Sequence, residues 1–203
     1  MYKNKDTGKL IAFDGPNGAG KSTLIRAVQA RLSEMNINVH VTKEPSDSKI
    51  GTFTRNVAEL FSGNALACLV AADRYAHVER EILPQLKQGT IVITDRYVLS
   101  SLILQPMDGV DIDFIEKINN EIVLPDLQIA VWANDEILQK RLLERDNLTR
   151  FEKNNRSFEE LENMEKGVRI IQEWAVPVVN VFNDSDLEKN VALVVENILS
   201  MIG

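Results

Sequence analysis

Gly15-Pro16-Asn17-Gly18-Ala19-Gly20-Lys21-Ser22 has the spacing G-x-x-x-x-G-K-[ST] of a phosphate-binding loop. A loop of this kind works between a buried strand and the first turn of a helix. There, inward-facing backbone N–H groups and the positive end of the helix hold an anion together. Both flanks comply: Leu10-Ile11-Ala12-Phe13 is a short apolar run that predicts a buried strand, and residues 22–32 carry apolar positions at helical spacing. In this pattern the glycines let the backbone turn inward, Lys21 reaches the β- and γ-phosphates, and the Ser22 hydroxyl ligates Mg²⁺.

Strand, loop and helix in that order are the first unit of a parallel α/β sheet, and the rest of the chain continues the alternation. Short β-branched runs at 39–42, 90–94, 127–132 and 178–182 predict further strands. Helices are predicted over 21–35, 51–62, 65–86, 111–121, 135–145, 157–174 and 187–201. The expected architecture is a parallel sheet of about five strands, covered by helices on both faces, with ligands at the carboxyl ends of the strands. Pro84, Pro125 and Pro177 fall at predicted helix ends, bends or strand starts, where a missing N–H costs least. Ser157-Phe158-Glu159-Glu160 resembles a capping box. Residues 145–156 are polar, have no apolar period and read as a mobile surface segment. No repeat or Gly/Ser linker divides the chain, so residues 1–203 are read as a single domain.

Charge and cysteine content narrow the function classes. The formal net charge of -7 argues against a general nucleic-acid binder, so an anionic ligand must be held by local cations and backbone amides. Cys68 is the only cysteine, which excludes an internal disulfide. It sits among Leu66, Ala67, Leu69 and Val70 and is expected to be a small buried residue. His40 and His77 are too few and too far apart to supply a metal site with it. The polar N-terminus and the absence of a long apolar run predict no membrane span and a cytoplasmic location.

A second constellation is Asp95-Arg96-Tyr97, directly after the strand predicted over 90–94. It is expected at the same sheet edge as the glycine loop. An acidic residue there can hold Mg²⁺, and the neighbouring arginine can bind phosphate oxygens through two N–H groups.

Taken together, these segments resemble the thymidylate kinase family nearly end to end. The resemblance is carried by Phe13-Asp14 with the glycine loop through Thr23, by Thr42-Lys43-Glu44-Pro45, by Ile50-Gly51 to Arg55, by Ala71-Ala72-Asp73-Arg74 with His77, by residues 95–105, by Leu124-Pro125-Asp126-Leu127, and by Arg141, Arg145 and Arg150-Phe151-Glu152. It implies the P-loop nucleoside monophosphate kinase fold with a mobile lid over about 145–156, and transfer of the ATP γ-phosphoryl group to dTMP. Gly15, Asn17, Gly18, Ala19, Gly20, Lys21, Ser22, Thr23 and Arg141 would contact ATP, with Ser22 and Asp95 holding Mg²⁺. Asp14, Asn17, Pro45, Arg55, Val70, Arg74, Arg96, Ser100, Ser101, Leu104 and Gln105 would surround the acceptor. Lys21, Asp95, Arg96, Arg145 and Arg150 would be catalytic. Family members form homodimers through helices beside the substrate site, and a homodimer is the implied assembly.

Three positions depart from the family: Asn17 where bacterial members usually carry an acidic residue, Val70 where a phenylalanine usually stacks on thymine, and Leu104 where an aromatic usually packs near the sugar. Phe53, Phe61 or Tyr75 are candidate replacements for the missing ring. Tyr75 is the poorest, because it adjoins Arg74 and points elsewhere on the helix. Asp73 and His77 are expected to be exposed helix residues with a structural role. The departures leave two other readings open: a kinase for another pyrimidine or modified deoxynucleotide, or a nucleotide-binding protein without transferase activity.

Overall fold

The computed structural model describes residues 1–143, 156–184 and 186–202. Its centre is a five-stranded, wholly parallel sheet built from β2 (Lys9–Asp14), β3 (Val39–Lys43), β4 (Ile91–Asp95), β6 (Leu127–Trp132) and β7 (Val178–Phe182), in the order β3-β4-β2-β6-β7. The two most apolar neighbours, β2 and β4, take central places, and the half-buried β3 and β7 form the edges. A separate parallel pair joins β1 (Tyr2–Lys3) to β5 (Val123–Leu124). Those two-residue strands were too short for any periodicity to announce.

Alternation along β2 divides the core in two. Ile11 and Phe13 face α1 (Lys21–Glu34) and the C-terminal helix, packing with Leu24, Val28, Val194 and Ile198. Leu10 and Ala12 face the opposite layer, with Leu99, Leu102, Met164 and Ile171. That layer contains α2 (Lys49–Val57), α3 (Gly63–His77), a π-helical turn (Val78–Ile82), α4 (Leu83–Lys87) and α5 (Val98–Leu104). It continues with α6 (Ile112–Ile118) and, after α7 (Asp135–Leu143), with α8 (Ser157–Glu173). The last helix is α9 (Leu187–Ile202).

Several expectations are corrected. The helix expected over 65–86 is three consecutive helical pieces. Pro84 brings no N–H for the Arg80 carbonyl, and just before it the chain widens so that the Leu83 N–H reaches the Val78 carbonyl, five residues back. Cys68 is exposed, because α3 buries Leu66, Ala67, Ala71 and Arg74 and turns Cys68 away from that face. Asp73 and His77 are buried, facing the β3–α2 connection. The capping box does not form: the Ser157 hydroxyl donates to Asp135, and the N-cap residue Arg156 makes no side-chain cap bond. Of the predicted lid, only Arg156 lies within the described residues.

The helix α5 was not foreseen. All but the last of its seven residues are buried, so it has no amphipathic stripe to read. Its neighbour α8 approaches closely at Gly167, where an added Cβ would lie 2.7 Å from Leu99 Cδ1 and 3.2 Å from Leu102 Cβ. Replacing glycine by alanine inside a helix usually gains about 1 kcal/mol, whereas overpacking costs about 1–3 kcal/mol. Gly167→Ala is therefore expected to lower stability in urea unfolding. A rise in midpoint would mean that the α5–α8 contact is loose.

Candidate active site

The loop after β2 is held in place by contacts that only glycine permits. A Cβ on Gly15 would run into the Val131 carbonyl of β6, and Gly18 and Gly20 have φ of 82° and 85°, the left-handed region that favours glycine. From outside, Asn183 Nδ2 donates to the Ala19 carbonyl at 2.7 Å, and Arg141 donates to the carbonyls of Gly18 at 3.2 Å and Asn183 at 3.0 Å. Lys21 opens α1 and folds back over the loop, its Nζ 3.0 Å from the Gly15 carbonyl and 2.9 Å from that of Pro16. Burial, reinforced by the neighbouring charge of Arg96, pushes its ammonium down to about 7. Ser22 Oγ donates to Asp95 Oδ2 at 2.6 Å, joining the loop to the end of β4.

Next to Asp95 the backbone turns sharply. Arg96 has φ of 76°, unusual for a residue with a side chain; it is pinned by its own N–H to the Phe13 carbonyl at 2.9 Å and by Thr94 Oγ1 to the Arg96 carbonyl at 2.7 Å. The turn brings the Arg96 guanidinium between Asn17 and α5: Nη2 donates to Asn17 Oδ1 at 2.7 Å and Nη1 to Ser100 Oγ at 3.1 Å.

Two cavities meet at this guanidinium. One, of about 400 Å³, is polar and lined by Gly18, Gly20, Lys21, Ser22, Thr23 and Asp95 among others. The second, of about 350 Å³, is lined by the aliphatic Leu66, Val70 and Leu104 together with the polar Arg74, Ser101, Gln105 and Arg55, and by Pro45. Asn17, Glu44 and Arg96 line both. Gln105 Nε2 donates to Ser101 Oγ at 3.1 Å, while its buried Oε1 has no protein partner. Among the described residues Tyr97 is the only aromatic one in either lining. Phe53 and Phe61 line neither cavity and are exposed, and the Tyr75 hydroxyl accepts from Glu121 N instead.

Arg74 is 1% exposed and nearly saturated. Its Nε donates to Glu44 Oε2 at 2.8 Å, Nη1 to Asn119 Oδ1 at 2.6 Å, and Nη2 to Ser101 Oγ at 3.0 Å and the Tyr97 carbonyl at 3.2 Å. The guanidinium also lies 5.4 Å from the centre of the Tyr97 ring. Arg55 donates to the Pro45 carbonyl and to Asp47.

Ten of the eleven predicted acceptor residues line the second cavity. The exception is Asp14, which lies behind it: Oδ1 accepts from Tyr97 N, Ser100 N and Ser100 Oγ, and Oδ2 from Gln128 Nε2. Gly15 and Ala19 shape the loop from behind the first cavity, and Arg141 braces it. Arg145 and Arg150 lie outside the described residues. Sequence reasoning missed Glu44 as a wall shared by both cavities, although it adjoins the assigned Pro45. It also missed Glu160 and Asn183, which act from distant segments. Among the described residues no group of three or more His, Cys, Asp or Glu side chains forms a metal cluster. Ser22 and Asp95 nevertheless present hard oxygen donors side by side, the donor type Mg²⁺ prefers while it keeps several waters.

The lowered Lys21 has a measurable consequence. At pH 8 an ammonium titrating near 7 is mostly neutral; phosphate beside it favours the charged form and raises its pKa, so nucleotide binding takes up a proton. Calorimetry of ATP binding in buffers of different ionisation enthalpy should show an uptake approaching one proton at pH 8 that fades below about pH 6. Lys21→Met should abolish the uptake.

Comparison with known proteins shows the family. The thymidylate kinase family model matches residues 13–190. A probable thymidylate kinase of Caldivirga maquilingensis is 36% identical over 199 residues, covering 95% of this chain and 92% of that protein. A probable thymidylate kinase of Pyrobaculum calidifontis is 41% identical over 147 residues, 70% of this chain and 74% of that one. The crystal structure of thymidylate kinase from Ehrlichia chaffeensis superposes with a TM-score of 0.73 at 22% identity, over 95% of this chain and 98% of that chain, and so shares the fold. The chain belongs to the thymidylate kinase family.

Proposed function

We propose that this protein transfers the γ-phosphoryl group of ATP to dTMP, giving dTDP and ADP. The observation that carries the reading is the shared boundary of the two cavities, where Arg96, Asn17 and Glu44 belong to both. A protein that only bound a nucleotide would need the glycine loop but no second cavity opening onto the same cation.

The loop N–H groups and Lys21 would hold the donor phosphates, and Arg96 with Arg55 would hold the acceptor phosphate. Phosphoryl transfer needs alignment and neutralisation of charge more than covalent help, and fixed cations in a partly dry site supply both. The acceptor phosphate oxygen attacks the γ-phosphorus directly, and the bond to the β–γ bridging oxygen breaks. Ser22 and Asp95 would hold Mg²⁺, whose charge offsets that of the phosphate chain when bound. Arg145 and Arg150 would add charge to the transferring group as lid residues, and Arg141 would steady the loop under ATP. Gln105 lines the acceptor cavity beside Ser101, and a side-chain amide there can both donate to and accept from a base edge.

One observation favours a second reading. The wall at Val70 and Leu104 is aliphatic, so a base there gains no stacking from those residues, and a different or modified pyrimidine fits the same description. An acceptor panel decides. With MgATP and dTMP, dUMP, dCMP, dGMP, dAMP and UMP, the diphosphate formed should be greatest with dTMP. Preference for another acceptor replaces the substrate, and silence with all six despite ATP binding leaves a non-catalytic nucleotide binder. Arg96→Ala should lower turnover by about 10²–10³-fold, and Arg145→Ala by far less. Equal losses would remove the distinction between acceptor clamp and lid.

A homodimer is proposed through α2, α3 and the connection between them, where Ile50, Phe53, Leu60, Phe61 and Cys68 are exposed. Sedimentation should give twice the chain mass, and Phe53→Glu with Phe61→Glu should halve it. Among the described residues no helix is long and apolar enough to cross a membrane.

A further inference from the structure

Glu160 lies in the first turn of α8, is 3% exposed, and spends both carboxylate oxygens on one residue of the glycine loop. Its Oε2 accepts the Asn17 backbone N–H at 2.7 Å, and its Oε1 accepts Asn17 Nδ2 at 3.1 Å. This leaves Asn17 Oδ1 for Arg96 Nη2 at 2.7 Å.

The three groups fix one another's direction. A carboxylate only accepts and a guanidinium only donates, so the amide between them has one tolerable orientation. Turning it over would set its NH₂ against the guanidinium and its oxygen against the carboxylate, and both contacts would repel. With its Nη2 donating to the Asn17 oxygen and its Nη1 to the Ser100 hydroxyl, the Arg96 fork is held at the boundary of the two cavities.

We propose that Glu160 is a positioning residue for the acceptor phosphate: it orients the Asn17 amide, and the amide oxygen in turn holds the Arg96 guanidinium in place. The inference rests on the proposed role of Arg96 as acceptor clamp. It also assigns the loop amide and the helix carboxylate as a matched pair whose exchange preserves the pattern. Asn17→Asp alone sets two carboxylates at hydrogen-bond distance. Glu160→Gln alone lets the new amide donate to the Asn17 oxygen and draws it from Arg96. In the double variant the helix amide accepts the backbone N–H at position 17 and donates to the new loop carboxylate, whose second oxygen faces Arg96.

The test is steady-state kinetics with MgATP and dTMP on wild type, Asn17→Asp, Glu160→Gln and the double variant. Each single variant is expected to raise KM for dTMP by about 10–100-fold, the span of a lost hydrogen bond to a charged group; for Glu160→Gln, at a position that lines neither cavity, KM for ATP should move less than about 3-fold. The double variant should return KM for dTMP to within about 3-fold of wild type. A merely structural role of Glu160 would not produce that reciprocal rescue. Calorimetric binding of dTMP alone gives the same comparison without turnover, and thermal melts identify a variant that fails to fold. Losses that multiply in the double variant, or single variants with unchanged KM for dTMP, overturn the inference. A wild type inactive with dTMP overturns the proposed acceptor instead; the four proteins are then compared with whichever acceptor of the panel is turned over, and silence with all of them overturns both.

Discussion

The register between β2 and β4 is the constraint from which the site follows. Phe13 pairs with Asp95 across the two central strands, so the chain leaves both at one height, the first into the glycine loop and the second into Arg96. Asp14 then locks the two exits together. It is fully buried, and its carboxylate accepts two backbone N–H groups at the start of α5, the Ser100 hydroxyl and the Gln128 amide. Those N–H groups are the ones a helix leaves unsatisfied at its beginning, and here the cap comes from a neighbouring strand. One carboxylate thus places the donor loop, the turn at Arg96 and the helix bearing Ser100 and Ser101 in a single rigid frame.

The proposed acceptor cavity rests on a second buried hub. Glu44 receives Arg74 at 2.8 Å and faces His77 Nδ1 at 3.3 Å, while His77 Nε2 lies 2.8 Å from Thr42 Oγ1. Desolvating such charges is expensive, and removing one partner of a buried pair costs about 3–5 kcal/mol. A hub of this kind is weak evidence for stability but strong support for a fixed wall. Arg74 has nearly all its donors engaged with protein, so it presents a positioned cation to the cavity.

The fold was legible in the sequence because its signals were periodic. The strands expected near residues 10, 39, 90, 127 and 178 all form, and the glycine loop lies where its flanks placed it. What escaped were features set by distant partners. The helix α5 carries no amphipathic period, since it is buried nearly all round and capped by Asp14, far earlier in the chain. Cys68 sat in an apolar run yet faces outward, because composition does not tell which side of a helix meets the core. The acceptor residues were named through family resemblance rather than spacing, and ten of them share one cavity. Glu160 looked like part of a capping box, but its carboxylate goes to Asn17, more than a hundred residues away. Local sequence could not distinguish the two uses.

The distribution of charge explains how a chain of net charge -7 can handle two anionic nucleotides. Its field at long range repels polyanions, so attraction must be local. The charge of Arg96 is close enough to disfavour that of Lys21, and part of the depression of Lys21 comes from that repulsion, after burial. Asp95 and Glu160 partly offset it. Phosphate groups arriving between the two cations relieve the repulsion, which makes the site more favourable to bridging phosphates than to either cation's separate ligand. That preference is strongest for a phosphate chain continuous from one cavity to the other, which is the charge distribution of phosphoryl transfer in progress.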